Sequence, residues 1–175
     1  EDHADFFKVY DALRDTYGQG VVPLTFPAVS GGKAVGVVDV VSGLAGKPDG
    51  GKMDLPADAA EYLETYRHML NEAVAETSEE LMEKFFMEEP FTPEELTAGI
   101  RSAIQSRSLF PVFCGCAMTG LGTLELLNDL VQYAPTPLEG KPMPTAEGGE
   151  KTLDPSGAPM LFVFKTLTDQ YGKNS

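Results

Sequence analysis

The stretch that decides the fold of this 175-residue chain is residues 111–122, Pro-Val-Phe-Cys-Gly-Cys-Ala-Met-Thr-Gly-Leu-Gly. The compact apolar run from Leu109 to Cys114 predicts a buried strand, the small residues that follow predict a tight loop, and residues 122–133 predict a helix. In an α/β sheet, ligands bind beyond the carboxyl ends of strands. Small side chains at positions 115–117 would let backbone N–H groups approach a planar base, although a plain strand-to-helix loop also fits the pattern.

The region before this stretch predicts a helix and then strands. Apolar residues recur at helical spacing from Asp5 to Tyr17, and Gly18 ends the run. Residues 21–41 predict strands around a turn at Gly31-Gly32. Residues 42–56 are rich in Gly, Pro and Lys, which indicates a loop or an irregular hairpin.

Two helices are predicted between this hairpin and the decisive stretch. One long amphipathic helix is expected from Ala57 to about Met87. In the second, Thr92 is the N-cap, Pro93 lies in the first turn and Glu95 completes a capping box, and the helix runs to about Ser106. The apolar arc of the first helix consists of Tyr62, Leu63, Tyr66, Met69, Leu70, Ala73, Val74 and Leu81.

The end of the chain predicts one more helix, a linker and a strand. Pro135 and Pro137 end the helix over residues 122–133. Residues 136–159 are rich in Pro, Gly and charge, as in linkers between domains. Residues 160–168 alternate like a strand. The apolar residues expected to face inward from the helix are Leu124, Leu127, Leu130 and Val131.

Composition restricts the classes of function. The formal net charge is -14, which argues against unaided binding to nucleic-acid phosphates. An acidic surface favours a basic protein partner, and it also simply keeps a protein soluble. The two cysteines are too close for an ordinary disulfide framework, so we expect a reducing compartment, the cytoplasm. No apolar run is long enough for a membrane span, and the first residues are not a signal peptide. The chain has no initiator Met and stops soon after its last predicted strand, so we expect a piece cut from a longer protein.

A phosphate-binding loop is absent from the sequence. Its signature, G-x-x-x-x-G-K-[ST], places Lys and a hydroxyl after a glycine-rich turn. The stretches Gly31-Gly32-Lys33-Ala34 and Gly50-Gly51-Lys52-Met53 lack the upstream glycine and the following Ser or Thr. Tight turns explain both of them.

The sequence gives little support for a metal site or for a catalytic nucleophile. A zinc site needs about four ligands, and His3 and His68 lie far in sequence from Cys114 and Cys116. The end of a buried strand explains the cysteines better. Asp39 could be a lone catalytic carboxylate, but no partner base accompanies it, so a structural place at a strand or turn is favoured.

The decisive stretch resembles a motif of the elongation factor G family. There, Pro-Val-x-Cys-Gly-Ser-Ala is the fifth GTPase motif, whose backbone amides read the guanine oxygen. This chain matches the motif over residues 111–117, except that Cys116 stands where Ser is usual. The resemblance implies guanine binding by the backbone of Gly115, Cys116 and Ala117.

The resemblance extends along the chain in one collinear order. Residues 4–9 look like the segment after the Asn-Lys-x-Asp guanine motif, and residues 22–41 look like the start of the family's inserted subdomain. Residues 78–85 are close to that subdomain's helix. Residues 126–137 look like the last G-domain helix and its exit, and residues 159–169 like the first strand of the following β-barrel.

The implied fold class is α/β: an incomplete P-loop GTPase domain that carries an inserted α+β subdomain, followed by the first strand of a β-barrel domain. Residues 1–20 would be a G-domain helix and residues 21–110 the insertion. Residues 111–135 would return to the G domain, residues 136–158 would be a linker, and residues 159–175 would begin the barrel.

The implied function is that of a translational GTPase in ribosomal translocation or recycling, with GTP or GDP and Mg²⁺ bound to the parent protein. The fragment itself would hold no catalytic residue, no metal and no tightly bound nucleotide. Two alternatives stay open. One is an acidic docking module of a divergent paralogue without a translocation role. The other is a non-ribosomal α/β enzyme that uses the loop from Cys114 to Gly122.

An acidic stripe is the second candidate site. On the wheel of the predicted long helix, Glu72, Glu76, Glu79 and Glu83 fall within about 60° of one another. A solvated helix face explains such a charge run. The resemblance implies instead that these residues face the basic C-terminal domain of the ribosomal stalk protein, since an acidic stripe raises the rate of encounter with a basic partner.

Overall fold

The structure is a computed structural model in which residues 4–159, 161 and 164–166 are described. It has the mixed α/β composition that the sequence predicts, and the chain divides into two compact units, Glu1–Pro135 and Thr136–Ser175. The helices of the first unit are α1 (Phe6–Tyr17), α2 (Ala59–Ala75), α3 (Glu79–Phe86), α4 (Pro93–Ser106) and α5 (Thr123–Tyr133). Its strands are β1 (Val21–Pro23), β2 (Thr25–Ser30), β3 (Lys33–Asp39), β4 (Ala45–Gly46), β5 (Lys52–Met53) and β6 (Phe110–Val112).

The strands of the first unit form two sheets. β1 and β6 pair in parallel, with Val22 opposite Pro111. The strands β2-β3-β4-β5 form an antiparallel sheet in that order. The predicted turn between β2 and β3 is confirmed: Gly31 and Gly32 have φ of 58° and 76°, a conformation that glycine adopts without a steric penalty. Residues 42–56 contain the β4–β5 hairpin, so the hairpin alternative is the correct one.

Helix α1 begins and ends where the sequence predicts. The side chain of Asp5 accepts a hydrogen bond from the backbone N–H of Lys8 at 3.2 Å, and Gly18 ends the helix with φ of 91°. The capping box of α4 is also confirmed, because Thr92 and Glu95 exchange hydrogen bonds of 2.9 and 3.2 Å. These boundaries follow from local hydrogen bonding alone.

The core of the first unit lies between the antiparallel sheet and helices α1, α2 and α4. Aromatic rings form its centre: Tyr66 meets Tyr10 at 5.4 Å and Phe26 at 5.3 Å between ring centroids, both edge to face. Leu24 and Ile100 are also fully buried. Burial of this apolar surface is the main stabilising contribution to the unit.

The single long helix predicted from residue 57 to 87 is wrong, because α2 ends at Ala75 and α3 begins at Glu79. Ser78 is extended (φ -156°, ψ 153°), and its hydroxyl accepts a hydrogen bond from the N–H of Leu81 at 3.2 Å. The hydroxyl of Thr77 donates to the carbonyl of Val74 at 2.6 Å. Hydroxyl side chains thus offer local bonds that compete with the helical ladder and start a new helix.

The prediction of a buried strand from Leu109 to Cys114 is only partly right. Leu109 is buried, but β6 is three residues long and Phe110 is half exposed. Within the described residues β6 pairs with β1 alone, so one of its edges has no neighbouring strand. An apolar run predicts burial on two sides only when other elements cover both of them.

The orientation predicted for the last helix is wrong. In α5 the residues that face inward are Asp129 and Tyr133, and Val131 is 86% exposed. The helix is amphipathic as predicted, but its apolar face has no covering element within the described residues. The exposed apolar residues are the four that were expected inside, Leu124, Leu127, Leu130 and Val131.

The second unit is small. It contains a 3₁₀ turn at Pro137–Glu139 and a hairpin of β7 (Met143–Pro144) and β8 (Glu150–Lys151). The stretch predicted as a linker therefore holds short regular elements. The strand predicted over residues 160–168 lies largely outside the described residues. Among the described helices, none has the length and apolarity to cross a lipid bilayer.

Helices α2 and α4 approach closely at Gly99. A Cβ atom at this position would overlap Cγ1 of Val74, which is fully buried. We expect Gly99→Ala to lower the free energy of unfolding by about 1–3 kcal/mol, because overpacking outweighs the gain of about 1 kcal/mol in helix propensity. Urea denaturation measures this change. Ala98→Ser changes the exposed residue next to Gly99 and serves as the control; it should change the free energy of unfolding by at most about 0.5 kcal/mol. A Gly99→Ala protein as stable as wild type would contradict the packing argument.

Candidate functional site

The candidate site is the loop of residues 113–122, which joins the carboxyl end of β6 to α5. The start of the loop is held by Thr25 of β2 and by Leu24, the residue before β2. The N–H of Leu24 donates to the carbonyl of Val112 at 2.9 Å, and the N–H of Cys114 donates to Oγ1 of Thr25 at 3.0 Å. Because Thr25 is fully buried, its hydroxyl gives the loop a fixed anchor in the core.

The rest of the loop is closed by its own backbone. The N–H of Cys116 donates to the carbonyl of Leu121 at 2.9 Å, and the N–H of Thr119 donates to the carbonyl of Cys116 at 3.2 Å. Gly122 precedes α5 with φ of 74°, and a Cβ atom there would overlap the carbonyl oxygen of Cys114. The two ends of the loop therefore touch at a position where only glycine fits.

The three predicted backbone donors differ in their availability. Within the described part of the chain, the N–H groups of Gly115 and Ala117 donate to no protein group, and both residues are exposed. The N–H of Cys116 is used by Leu121, so it would reach a ligand only if this bond broke. The loop thus offers two free donors rather than three, a difference that depends on the Cys116–Leu121 bridge.

The two cysteines have different environments. Burial raises the pKa of the Cys114 thiol to about 12, so it stays protonated. Hydrogen bonds from the side chain of Thr119, and then from the backbone N–H groups of Thr119 and Met118, hold the pKa of Cys116 below its ordinary value. In the described ranges, no group of three or more His, Cys, Asp or Glu residues is arranged to hold a metal ion.

The four glutamates of the predicted stripe are all exposed, but they lie on two helices. Glu72 is in the last turns of α2 and Glu76 caps its end, whereas Glu79 and Glu83 belong to α3. The helical wheel that grouped them assumed one continuous helix, so the arc of about 60° is wrong. What remains is an acidic surface around the α2–α3 junction, which also includes Glu80.

The structure also shows a buried carboxyl group, that of Asp129, which the sequence analysis did not predict. Asp129 is 6% exposed, and its Oδ2 atom has no hydrogen-bond partner. Burial first, then the charges of Asp39 and Glu125, raise the pKa of Asp129 to about 7. Asp39 itself ends β3, where its Oδ1 accepts a hydrogen bond from the N–H of Ser42 at 2.6 Å. The available signal was the spacing of Glu125, Asp129 and Tyr133, which lie on one face of a helix.

Comparison with known proteins supports the fold and leaves the family open. No protein-family model matches the chain. Among solved structures, a protein from Thermus thermophilus is similar, with a TM-score of 0.70 and 29% sequence identity. The similarity covers 79% of this chain but 22% of that protein, so this chain spans about a fifth of the Thermus protein's length. The mixed α/β architecture is therefore shared with a much longer polypeptide.

The anchor of the loop can be tested at Thr25. In Thr25→Val the shape is kept, but the N–H of Cys114 loses its acceptor in a buried place. We expect the free energy of unfolding to fall by about 1–3 kcal/mol and the amide of Cys114 to exchange faster with solvent. Thr25→Ser keeps the hydroxyl and is the matched control. Equal exchange rates at Cys114 in Thr25→Val and wild type would show that the hydroxyl does not hold the loop.

Proposed function

We propose that this chain is a segment of a translational GTPase of the elongation factor G kind, and that the loop of residues 113–122 forms the guanine side of its nucleotide site. The observation that carries the proposal is the loop itself. It follows the carboxyl end of a parallel strand and exposes the N–H groups of Gly115 and Ala117, in a sequence that resembles the fifth GTPase motif. Paired backbone donors of this kind suit the carbonyl oxygen of a base.

The open surfaces of the first unit support a larger domain around it. Val9 and Tyr17 of α1 are exposed, as are Phe110 of β6 and Val131 of α5. A groove of about 320 Å³ lies between α1 and β6 and is lined mainly by apolar side chains, among them Leu13. Exposed apolar faces of this extent mark surfaces that another element covers. In the proposal, the covering elements are the remaining strands and helices of the GTPase domain, with the phosphate loop and the Mg²⁺ site.

Guanine binding can be tested in the full-length protein by two glycine substitutions. Gly122 and Gly120 both have φ of 74°, but only at Gly122 would a Cβ atom meet the backbone, at the carbonyl of Cys114. We expect Gly122→Ala to weaken GDP binding by about tenfold or more, because about 1.4 kcal/mol of distortion at the loop already gives that factor. Gly120→Ala carries the same backbone strain without the overlap and should weaken GDP binding less.

Isothermal titration with GDP measures both variants. GDP affinity that is unchanged in Gly122→Ala, with the variant folded by circular dichroism, would remove the loop from the nucleotide site. The isolated chain is expected neither to bind GTP tightly nor to hydrolyse it. Ribosome-stimulated GTP turnover by the full-length protein then separates a translocation or recycling factor from a docking module without turnover.

We further propose that the acidic surface around the α2–α3 junction docks the basic C-terminal domain of the ribosomal stalk protein. The exposed Glu72, Glu76, Glu79 and Glu83 support this, together with the net charge of -14. Charge complementarity of this kind acts mainly on the rate of association and weakens as salt rises.

Three matched pairs of substitutions test the docking surface. Glu72→Lys with Glu76→Lys changes the end of α2, and Glu79→Lys with Glu83→Lys changes α3. Asp11→Lys with Asp15→Lys is the control, since it also reverses two exposed charges four residues apart on a helix. We expect one or both of the glutamate pairs, and not the control, to weaken binding to the stalk domain by about 3- to 10-fold at low salt. Surface plasmon resonance measures the affinities; equal affinities for all three variants would exclude this surface.

A further inference from the structure

The inward face of α5 carries two carboxylates. Glu125 and Asp129 lie one turn apart on α5, and the charge of Asp39, the last residue of β3, acts on Asp129. The carboxylate of Glu125 lies against Gly46 of β4, where a Cβ atom would overlap it. Glu125 thus forms part of the contact between α5 and the antiparallel sheet, and Asp129 is buried one turn further along the same helix.

Among the described residues, no cation lowers the pKa of Asp129. The groups that raise its pKa are Asp39 from β3 and Glu125 from α5 itself, and both carry the same sign of charge. Tyr133, one turn further along α5, is buried, and the charges of Asp129 and Asp39 add to burial in raising its pKa. From α4, the guanidinium of Arg101 donates to the backbone carbonyls of Gln132 at 3.0 Å and Ala134 at 3.4 Å.

An ionised Asp129 would be unfavourable in this position. Its Oδ2 atom lacks a hydrogen-bond donor among the described residues, its side chain is removed from water, and the charges of Asp39 and Glu125 act on it. Buried carboxyl groups without a partner avoid this free-energy cost by keeping the proton. The pKa of about 7 agrees with the geometry.

We propose that the buried carboxyl of Asp129 is a proton-dependent lock on the packing of α5 against the first unit, and that loss of its proton loosens α5 and the loop of residues 113–122 before it. The connection to the loop is short. Gly122 is both the last residue of the loop and the N-cap of α5, and it touches the carbonyl of Cys114 at the start of the loop. A shift of α5 therefore moves the end of the loop at Gly122 relative to its start at Cys114.

The direction of the pH effect follows from linkage. The folded pKa of Asp129, about 7, lies above the ordinary value of 3.8, so the folded chain keeps this proton to higher pH than the unfolded chain. The contribution of protonated Asp129 to stability is complete below about pH 4 and is lost as the pH rises through about 7. The lock is thus closed in mildly acidic solution and opens at slightly alkaline pH.

The direct test is the titration of the Asp129 carboxyl carbon by NMR in the ¹³C-labelled chain. The expected midpoint lies near neutral pH, and a midpoint near the ordinary value of 3.8 would overturn the proposal. This measurement uses the wild-type chain and does not depend on the folding of any variant. Amide exchange at Cys114 and Cys116, whose N–H groups donate to Thr25 and Leu121, should rise with the same midpoint after correction for intrinsic rates. Exchange rates at these two amides that do not follow the titration of Asp129 would overturn the coupling to the loop.

A variant gives the second test. Asp129→Asn copies the shape of the protonated acid and cannot ionise, so its urea midpoint should exceed that of wild type most at about pH 8, less at about pH 5, and should approach it near pH 4. Asp15→Asn, which removes an exposed carboxylate from α1, is the control and should show no such pH-dependent difference. A difference between Asp129→Asn and wild type that is the same at about pH 8 as at about pH 4 would count against the lock.

Discussion

The first unit depends on the contact among three aromatic rings, Tyr10 of α1, Phe26 of β2 and Tyr66 of α2. These rings join three elements that are distant in sequence, and edge-to-face pairs add specific geometry to the burial of apolar area. The hydroxyl of Tyr10 also donates to the carbonyl of Val21 at 3.2 Å, which fixes α1 on β1. Since β1 carries β6 beside it, the aromatic contact indirectly sets where the loop after β6 begins.

Contacts at both ends hold the loop after β6 in place. Thr25 holds its first amide from within the core, and Gly122 lets its two ends approach each other. Between these points the bridge from Cys116 to Leu121 closes the backbone and leaves Gly115 and Ala117 as donors. Such a loop is preorganised, because its free N–H groups are positioned before any ligand arrives. This rigidity favours a binding role over that of a simple connection.

The periphery of the same unit has the opposite character. The outer face of α5 and the open edge of β6 are apolar, and α1 exposes Val9 and Tyr17, whereas the inner face of α5 carries carboxylates. A helix with its charges inside and its leucines outside presents an apolar face that no described element covers. The similarity to about a fifth of a longer Thermus protein is consistent with this arrangement. The carboxyl groups of Glu125 and Asp129 therefore lie between the packed core and the exposed apolar face of α5.

The sequence by itself determined the features that depend on neighbouring residues. The limits of α1 and α4, the turn at Gly31-Gly32, and the strand-loop-helix order around residues 111–122 follow from caps, glycines and periodicity, all of which act over a few residues. The break at Ser78 was also readable, because Ser-Glu-Glu is a helix start, but the apolar arc on both sides concealed it. Only the tertiary structure decided which face of α5 is buried, that Phe110 lies at an open edge, and that the charge of Asp39 acts on Asp129. Periodicity shows that a helix has two unlike faces, but what covers each face depends on elements far away in the chain.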